Sequence, residues 1–323
     1  MTRYTDVQSV LLLHGGALGD CVLTLHLAAG VRAALPKARV EMVARSPVAA
    51  FAAGRGPVDA ACHPDVIGLH HLFADTSPPD ELRGRLGRFD RVLSFLGGPE
   101  APASRVLGEV LGRRVLFVDP APRPDAPQTH ITGQWRDALS RQGLAARPPG
   151  RPLLHVRPAE RLAAREELAR LAGGHGPLVV FHPGSGGAAK CCPLPVLEEA
   201  LRLRQEAGDT PLWMMGPAER ERSGPDLGRR LAETAPVILE ESIPRAAALL
   251  GGADAFVGND AGMTHLAAAL ALPTVALFGP TSPAVWRPLG GAVAVMSFAN
   301  DAAGPQFAHR IAARLGADLR HTK

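Results

Sequence analysis

The sequence predicts an α/β protein built from two doubly wound domains. Short apolar segments alternate with helical patterns along both halves of the 323 residues, as parallel sheets covered by helices require. A proline-rich segment at 147–152 interrupts this alternation and cannot continue either regular element. Glycine-rich loops at 14–20 and 182–190 each follow a predicted strand and precede a helix, where doubly wound sheets bind ligands. We therefore predict two Rossmann-like domains, at residues 1–150 and 151–323.

The elements of the first domain follow from its hydrophobic pattern. An apolar strand is predicted at 9–13, and apolar residues every fourth position from Leu23 to Leu35 predict an amphipathic helix that ends before Pro36. The same criteria predict strands at 40–43, 58–68, 91–96 and 113–118, and helices near 79–86, 104–111 and 130–142.

The second domain repeats the alternation of strands and helices. Strands are predicted at 178–181, 211–215, 237–239, 256–258, 274–278 and 292–296, and helices at 159–172, 194–206, 218–233, 243–250, 262–270 and 306–315. No repeat of solenoid length is present, although the two halves share an architecture.

The stretch at 256–279 forms a complete strand, turn, helix and strand. Its turn presents the backbone amides of Ala261, Gly262 and Met263 at the positive end of a helix, which suits a phosphate group. Two alternatives remain open: Asp260 only caps the helix, and Gly262 only lets helix and strand pack closely.

The loop at 182–190, HPGSGGAAK, offers a second anion site. Its glycines allow the backbone to curve around phosphate oxygens, Ser185 adds a hydroxyl and Lys190 adds a positive charge. Cys191 follows the lysine, so the loop lacks the pattern of nucleotide hydrolases, and it could instead be a flexible surface turn. Because this loop and the turn at Asp260 both follow strands of one domain, a pyrophosphate could lie between them.

The loop at 14–20 lacks the spacing of a dinucleotide site, and no acidic residue follows the second strand to hold a ribose. It places the carboxylate of Asp20 beside the bare backbone of Gly15, Gly16 and Gly19. Such a carboxylate could accept a proton from an attacking hydroxyl. The alternative is that Asp20 only complements the dipole of the helix that follows. We expect this edge of the first domain to face the edge of the second across a cleft.

Composition limits the classes of partner. With 46% apolar residues, no apolar run of about 18 residues and a polar stretch at 1–8, the sequence predicts a cytoplasmic protein without a secretory leader. The four cysteines do not show zinc or haem spacing and are expected to be free thiols. A net charge of +4 favours anionic partners, but no basic block is interleaved with aromatic residues, so nucleic acid is not the expected ligand.

Three motifs resemble glycosyltransferase family 9, the lipopolysaccharide heptosyltransferases: GALGD at 16–20, HPGSGGAAK at 182–190, and GNDAGMTHLAAALALPTVALFGPTSPAVW at 258–286. The resemblance implies a GT-B fold, with the acceptor bound by the first domain and an ADP-activated sugar by the second. It implies an inverting enzyme that moves a heptose to the inner core of lipopolysaccharide, in the cytoplasm or peripherally at the inner membrane.

The resemblance also implies roles for individual residues. Asp20 matches the proposed general base, and an acid in the GPAERE stretch, Glu219 or Glu221, would bind the ribose. The matches to the phosphate-binding loop and to the motif that contacts the donor are Ser185, Gly186, Lys190, Asp260, Ala261, Gly262, Met263, Thr264 and His265. Lys190 and the helix amides would stabilise the departing ADP, so no divalent metal or tightly bound cofactor is expected.

The sequence departs from the family at two of these places. His14 stands where an arginine is usual, and Cys192 replaces a common tryptophan, which leaves the acceptor and the donor sugar open. Two other functions remain as alternatives: a catalytically silent protein that binds a nucleotide sugar, and a nucleotide-sugar epimerase of GT-B fold.

Overall fold

A computed structural model describes residues 6–74, 76–147, 153–239, 242–298 and 304–320 of the chain. The chain divides into two compact units, Met1–Leu153 and Leu154–Lys323. Residues 148–152 of the predicted linker lie outside the described residues, and the division falls between Leu153 and Leu154.

The first unit is built on a parallel sheet of five strands: β1 (Ser9–His14), β2 (Arg39–Ala44), β3 (Ala60–Cys62), β4 (Arg91–Phe95) and β5 (Val115–Phe117). Its helices are α1 (Leu18–Ala34), α2 (Val48–Ala52), α3 (Pro64–Ile67), α4 (Asp80–Gly87), α5 (Pro102–Leu111) and α6 (Ile131–Arg141), with 3₁₀ turns at Leu69–Phe73 and Gly112–Arg114. The strand order β3-β2-β1-β4-β5 reverses direction between β1 and β4, which is the switch point of a doubly wound sheet.

The prediction of a strand at 58–68 is wrong for the residues after Cys62. Strand β3 stops at Cys62 and helix α3 begins at Pro64, whose fixed φ suits the first position of a helix. The Nδ1 atom of His63 accepts a hydrogen bond from the amide of Asp65 at 3.4 Å, which caps this helix. Gly68 ends it at a φ of +72°, a conformation that favours glycine. These local signals outweigh the apolar pattern.

Strand β1 occupies the centre of the first sheet, and its residues 10–13 are buried. On one face of the sheet, Leu11 and Leu13 pack with residues of α4 and α5 in a continuous apolar core. A central strand buried on both faces explains the uninterrupted apolar run at 10–13. The loop that follows β1 therefore leaves the sheet from a rigid position.

The second unit has a parallel sheet of six strands: β6 (Leu178–His182), β7 (Thr210–Met215), β8 (Val237–Leu239), β9 (Ala255–Asn259), β10 (Thr274–Phe278) and β11 (Val293–Ser297). Its helices are α7 (Pro158–Ala172), α8 (Leu194–Glu206), α9 (Pro217–Ala232), α10 (Ile243–Gly252), α11 (Gly262–Ala269), α12 (Pro283–Trp286) and α13 (Pro305–Arg320), with a 3₁₀ turn at Ala188–Lys190. The order β11-β10-β9-β6-β7-β8 places the switch point between β6 and β9.

Helix α13 is longer than predicted and extends past Leu315 to Arg320. Leu315 and Leu319 are buried against the core of the second unit, so the apolar face continues through the last turns. Of the helices in the described residues, none combines the length and apolar character needed to cross a bilayer.

Candidate active site

Two loops meet at the switch point of the second sheet. Strands β6 and β9 are parallel neighbours, and His182 at the end of β6 is in register with Gly258 near the end of β9. The loop at 183–193 therefore leaves the same edge as the turn at Asp260. The predicted juxtaposition of these two anion-suited segments is present in the structure.

The side chain of Asn259 connects these two loops. Its Nδ2 atom donates to the carbonyl of Pro183 at 2.9 Å and to that of Gly184 at 3.3 Å, and its Oδ1 atom accepts from the amide of Cys192 at 2.8 Å. Asn259 is fully buried, so each of these bonds satisfies a group that has left water. The hydroxyl of Thr264 donates to the carbonyl of Asn259, which fixes the start of α11 on the same residue.

Asp260 lies at the centre of the polar cluster, with a side chain that is 7% exposed. Its Oδ2 atom accepts from Lys190 Nζ at 3.0 Å and from the hydroxyl of Thr281 at 2.7 Å. Its Oδ1 atom lies 4.0 Å from Nε2 of His265. Helix α11 is capped at Ala261 without a side-chain hydrogen bond, so the alternative that Asp260 only caps this helix is wrong.

Ser185 and Lys190 hold the loop after β6 against Asp260. The hydroxyl of Ser185 donates to the backbone carbonyl of Asp260 at 2.6 Å, and Ser185 is buried. Lys190 is different because its side chain remains 38% exposed. An ammonium group has three donors, so Lys190 can bind Asp260 and an incoming oxygen atom at the same time.

Gly186 and Gly187 face open space, and a Cβ atom added at either position would meet no other atom within 4 Å. Nearby, Ala261, Gly262 and Met263 are half-buried at the amino end of α11, whereas Thr264 and His265 are buried. The first amides of a helix have no partner within the helix and carry its positive dipole. The loop backbone and these amides therefore form a surface suited to phosphate oxygens.

Glu219 and Glu221, the two acids proposed to contact a ribose, lie in different surroundings. Glu219 is 6% exposed, and its Oε2 atom accepts from the amide of Gly216 at 2.8 Å at the start of α9. Its Oε1 atom is 3.6 Å from Nε2 of His182, and a side chain at Gly184 would collide with its carboxylate. Glu221 is exposed. Glu219 is therefore buried against the loops that contain Gly184 and Gly216, whereas Glu221 lies at the surface.

Asp20 lies at the switch point of the first sheet, in the first turn of α1. Gly15 and Gly16 form the loop between β1 and α1, whereas Gly19, which the sequence placed in the loop, lies inside the helix. A Cβ atom added to Gly16 would lie 2.9 Å from Oδ2 of Asp20 and 2.5 Å from Cε1 of His14. A side chain at position 16 would therefore displace the imidazole of His14 or the carboxylate of Asp20.

His14 is buried, with 1% of its surface exposed, and its Nδ1 atom accepts from the amide of Gly16 at 3.0 Å. Its ring packs against Phe95 and Trp135, with centroids 5.4 and 6.4 Å away. Burial lowers the pKa of His14 to about 4, so the ring is neutral near pH 7. Where the family pattern leads us to expect an arginine, the chain therefore carries a neutral group that holds the glycine loop.

The thiol of Cys21 is a second neutral group beside this loop. Its Sγ atom lies 3.6 Å from Nδ1 of His14 and 3.6 Å from the carbonyl of Gly16. Burial, and to a smaller extent the charge of Asp20, raise the pKa of this thiol to about 12. Neither His14 nor Cys21 therefore carries a charge beside Asp20 near pH 7.

Asn259 and Thr281 are polar residues of the cluster that were not predicted from the sequence. Each follows or ends a strand at the carboxyl edge of the sheet, which is the signal that could have identified them. Cys192 is buried in the core of the second unit, and only its backbone amide takes part in the cluster. The side chain at position 192 therefore packs beneath the loop and makes no polar contact with the cluster.

Comparison with known proteins finds similarity to one family. A family model described as glycosyltransferase family 9 (heptosyltransferase) matches residues 109–312. Lipopolysaccharide heptosyltransferase 1 of Pseudomonas aeruginosa is 41% identical over 123 residues, covering 37% of this chain and 33% of that protein. Lipooligosaccharide heptosyltransferase 2 of Haemophilus influenzae is 30% identical over 153 residues, covering 44% and 43%. The chain thus aligns with less than half the length of either relative.

Solved structures resemble the chain over nearly its whole length. The E. coli ADP-heptose lipopolysaccharide heptosyltransferase II matches with a TM-score of 0.70 at 20% identity. The match covers 98% of this chain and 99% of that protein's chain. The E. coli heptosyltransferase WaaC with ADP has a TM-score of 0.67 at 20% identity and covers 96% and 100%. The likeness confirms the predicted fold class, two parallel-sheet α/β units of the GT-B type.

Proposed function

Because the chain belongs to glycosyltransferase family 9, the heptosyltransferase family, we propose that it is an inverting enzyme that transfers a heptose from an ADP-activated donor. The acceptor is a sugar of the lipopolysaccharide core or a related glycan. The first unit binds this acceptor, and the second unit binds the donor.

The main support is the cluster of Lys190, Asp260 and Thr281 at the switch point of the second sheet. The buried carboxylate of Asp260 fixes the ammonium group of Lys190, whose remaining donors are available to a ligand. The amides at the start of α11 add a positive dipole on the same edge. Diphosphate is the part of an ADP-sugar that such a surface would bind most strongly.

In the proposed reaction, the oxygen of an acceptor hydroxyl forms a bond to the anomeric carbon of the donor sugar. The bond between that carbon and the phosphate oxygen breaks, and ADP leaves with the bonding electrons. Asp20 takes the proton of the acceptor hydroxyl as its oxygen attacks. Attack on the face opposite the leaving group inverts the anomeric configuration.

The departing ADP gains negative charge in the transition state. Lys190 and the amides of α11 stabilise that charge, because they are already oriented by Asp260 and by the helix. We propose that these groups suffice and that transfer needs neither a divalent ion nor a tightly bound cofactor. Transfer that persists at its full rate after treatment with a chelator is the expected result, and activity restored only by added metal would contradict it.

The ribose contact is proposed for Glu219 or Glu221 at the start of α9. Glu219 has its carboxylate bonded to the amide of Gly216, whereas Glu221 is exposed. Replacing each acid by glutamine and measuring the affinity for ADP and for its deoxyribose analogue would identify the contact. The variant that no longer distinguishes the two nucleotides marks the residue that binds the hydroxyl group.

The acceptor determines where the enzyme works. Because a lipopolysaccharide precursor is anchored in a membrane, we propose a cytoplasmic protein that contacts the inner membrane at its surface. Vesicles carrying the acceptor are expected to retain the protein, and vesicles without it to retain less.

The proposal is tested by incubating the protein with ADP-heptose and a deacylated core acceptor. We expect release of one ADP for each sugar transferred, and a product with the inverted anomeric configuration by NMR. Donor binding without ADP release would indicate a silent binding protein. Conversion of the donor without any acceptor would indicate an epimerase.

A further inference from the structure

We propose that the first unit carries a second ligand site, on one face of its sheet, which binds an acyl chain with an acidic head group. This site does not depend on the proposed transfer reaction. It is formed by a pocket of about 300 Å³ between the sheet and the short helices α3 and α4. That volume is at the lower end of the range for small-molecule sites, roughly 300–1,000 Å³.

The pocket lies away from the candidate active site. Its lining includes Glu41 in the first half of β2, Ala60 at the start of β3, and Phe89 just before β4. The lining also includes the register pair Val43 and Cys62, so the pocket runs along one face of the sheet beside β2 and β3. Asp20 follows the carboxyl end of β1. With a rise of about 3.3 Å per residue, Leu11 in the pocket wall is roughly 10 Å along the strand from His14.

The walls of the pocket are apolar. Leu11, Leu86 and Phe89 belong to the core of the first unit and line the pocket on one side, and Ala61 lines it from β3. Val66, also in the lining, is 60% exposed, so apolar surface continues from the interior to solvent. These walls favour an apolar ligand over a sugar or a free phosphate, which would lose its hydrogen bonds to water.

Two arginines and one glutamate also line this pocket. Arg88 donates to Glu41 at 3.0 Å and its guanidinium lies 4.7 Å from the ring centroid of Phe89. Arg85 donates to the backbone carbonyl of Val66. The Arg88 and Arg85 side chains are 62% and 39% exposed. Their ion pairs with Glu41 and Glu81 are therefore weak and can be exchanged for a ligand carboxylate.

The charges and walls together define the ligand. The lining has an excess of one positive charge, two arginines against one glutamate, and its other residues are apolar. An acyl chain would remove its methylene groups from water along Leu86 and Phe89, and its carboxylate would lie between Arg85 and Arg88. The pocket is thus suited to a single-chain anionic amphiphile such as a medium-chain fatty acid.

The test is calorimetric titration of the full chain with decanoate below its micelle concentration. We expect saturable binding of one molecule, about tenfold weaker binding of octanoate for the loss of two methylene groups, and at least tenfold weaker binding of decanol for the loss of the charge. Arg88→Gln should weaken decanoate binding about tenfold. Arg83→Gln, on helix α4, which ends just before Arg88, lies outside the lining and should leave decanoate binding unchanged.

A second measurement locates the bound molecule. Cys62 and Cys191 are both partly exposed, but Cys62 lines the pocket and Cys191 lies in the second unit. Decanoate should slow alkylation of Cys62 without slowing that of Cys191. Equal affinity for decanol and decanoate, equal protection of both thiols, or no saturable binding would each overturn the proposal.

Discussion

The two sheets have the same strand order around their switch points, but the side chains at the two switch points differ in chemistry. In the second unit, the loops after β6 and β9 are joined by polar side chains, with Asn259 binding three backbone groups and Asp260 binding Lys190 and Thr281. In the first unit, the loop after β1 rests on the neutral ring of His14, which packs against Phe95.

This contrast separates what topology determines from what side chains determine. Strand order gives each unit an open edge where a ligand can approach backbone and helix amides. A fixed ammonium group on one edge suits a diphosphate, whereas a carboxylate beside neutral neighbours suits the transfer of a proton. We infer that the units divide the work, with donor affinity in the second and proton transfer in the first.

The largest effect is expected from Asp20→Asn. An amide cannot accept the proton of the acceptor hydroxyl, so transfer should slow by roughly 10² to 10⁴-fold. The affinity for ADP should stay within about twofold, because the proposed phosphate contacts lie in the other unit. Single-turnover transfer assays and ADP titrations measure the two quantities separately.

Asp80→Asn provides a matched control, since Asp80 is also an acid in the first turn of a helix of the first unit. If both variants kept full activity, Asp20 would be no more than a residue that complements the helix dipole. The division of work between the units would then be wrong.

The pH dependence of stability tests whether the ring of His14 is neutral in the folded protein. Its folded-state pKa of about 4 lies below the value of 6.5 expected for the unfolded chain, so the folded state binds fewer protons between those pH values. Stability attributable to His14 is therefore complete above about pH 6.5 and falls as the pH drops towards 4, by about 3 kcal/mol in total.

His14→Gln keeps an acceptor for the amide of Gly16 and cannot be protonated. Denaturant unfolding at about pH 7 and about pH 4.5 should show that the native protein loses about 2 to 3 kcal/mol more than this variant. All other titrating groups are shared, so the difference isolates His14. Parallel losses in the two proteins would mean that His14 has the same pKa in the folded and the unfolded chain.

Much of the fold was predictable because its signals are local. Apolar runs bounded by glycine or proline predicted most strands of both sheets, including β10. The error at 58–68 arose because a proline and a cap, each a single residue, ended β3 early. The same local rules, applied to Pro64 and Gly68, predict the bounds of α3.

The composition of the candidate site was less predictable because it depends on contacts distant in sequence. Asn259 bonds residues 67 to 76 positions away, and Thr281 reaches Asp260 only because β10 lies beside β9. Strand order is not encoded in any single motif. In contrast, Glu219 lies three residues after Gly216 at the start of a helix, a spacing that predicts a capping interaction.

Lys190→Ala is expected to weaken the binding of ADP by about 10- to 100-fold, since a hydrogen bond to a charged group contributes about 1.5–3 kcal/mol. The loss should be smaller for AMP, which lacks the second phosphate. Lys37→Ala, at an exposed position of the first unit, is the matched control and should change neither affinity. Equal losses for ADP and AMP would assign Lys190 to the stability of the loop through Asp260.

The smallest effect is expected from Thr281→Val, which keeps the side-chain shape but removes the hydroxyl that donates to Asp260 at 2.7 Å. Losing one neutral donor to a buried carboxylate that keeps Lys190 should cost about 1 kcal/mol in ADP affinity, or roughly fivefold in dissociation constant. The physical reason is indirect, because Thr281 orients Asp260, which in turn orients the ammonium group. In the Lys190→Ala background the same substitution should therefore have almost no further effect on ADP affinity, and a double-mutant cycle by calorimetry measures this coupling. Additive losses would show that Thr281 contacts the nucleotide itself. Thr281 and Lys190 would then bind the ligand independently of each other.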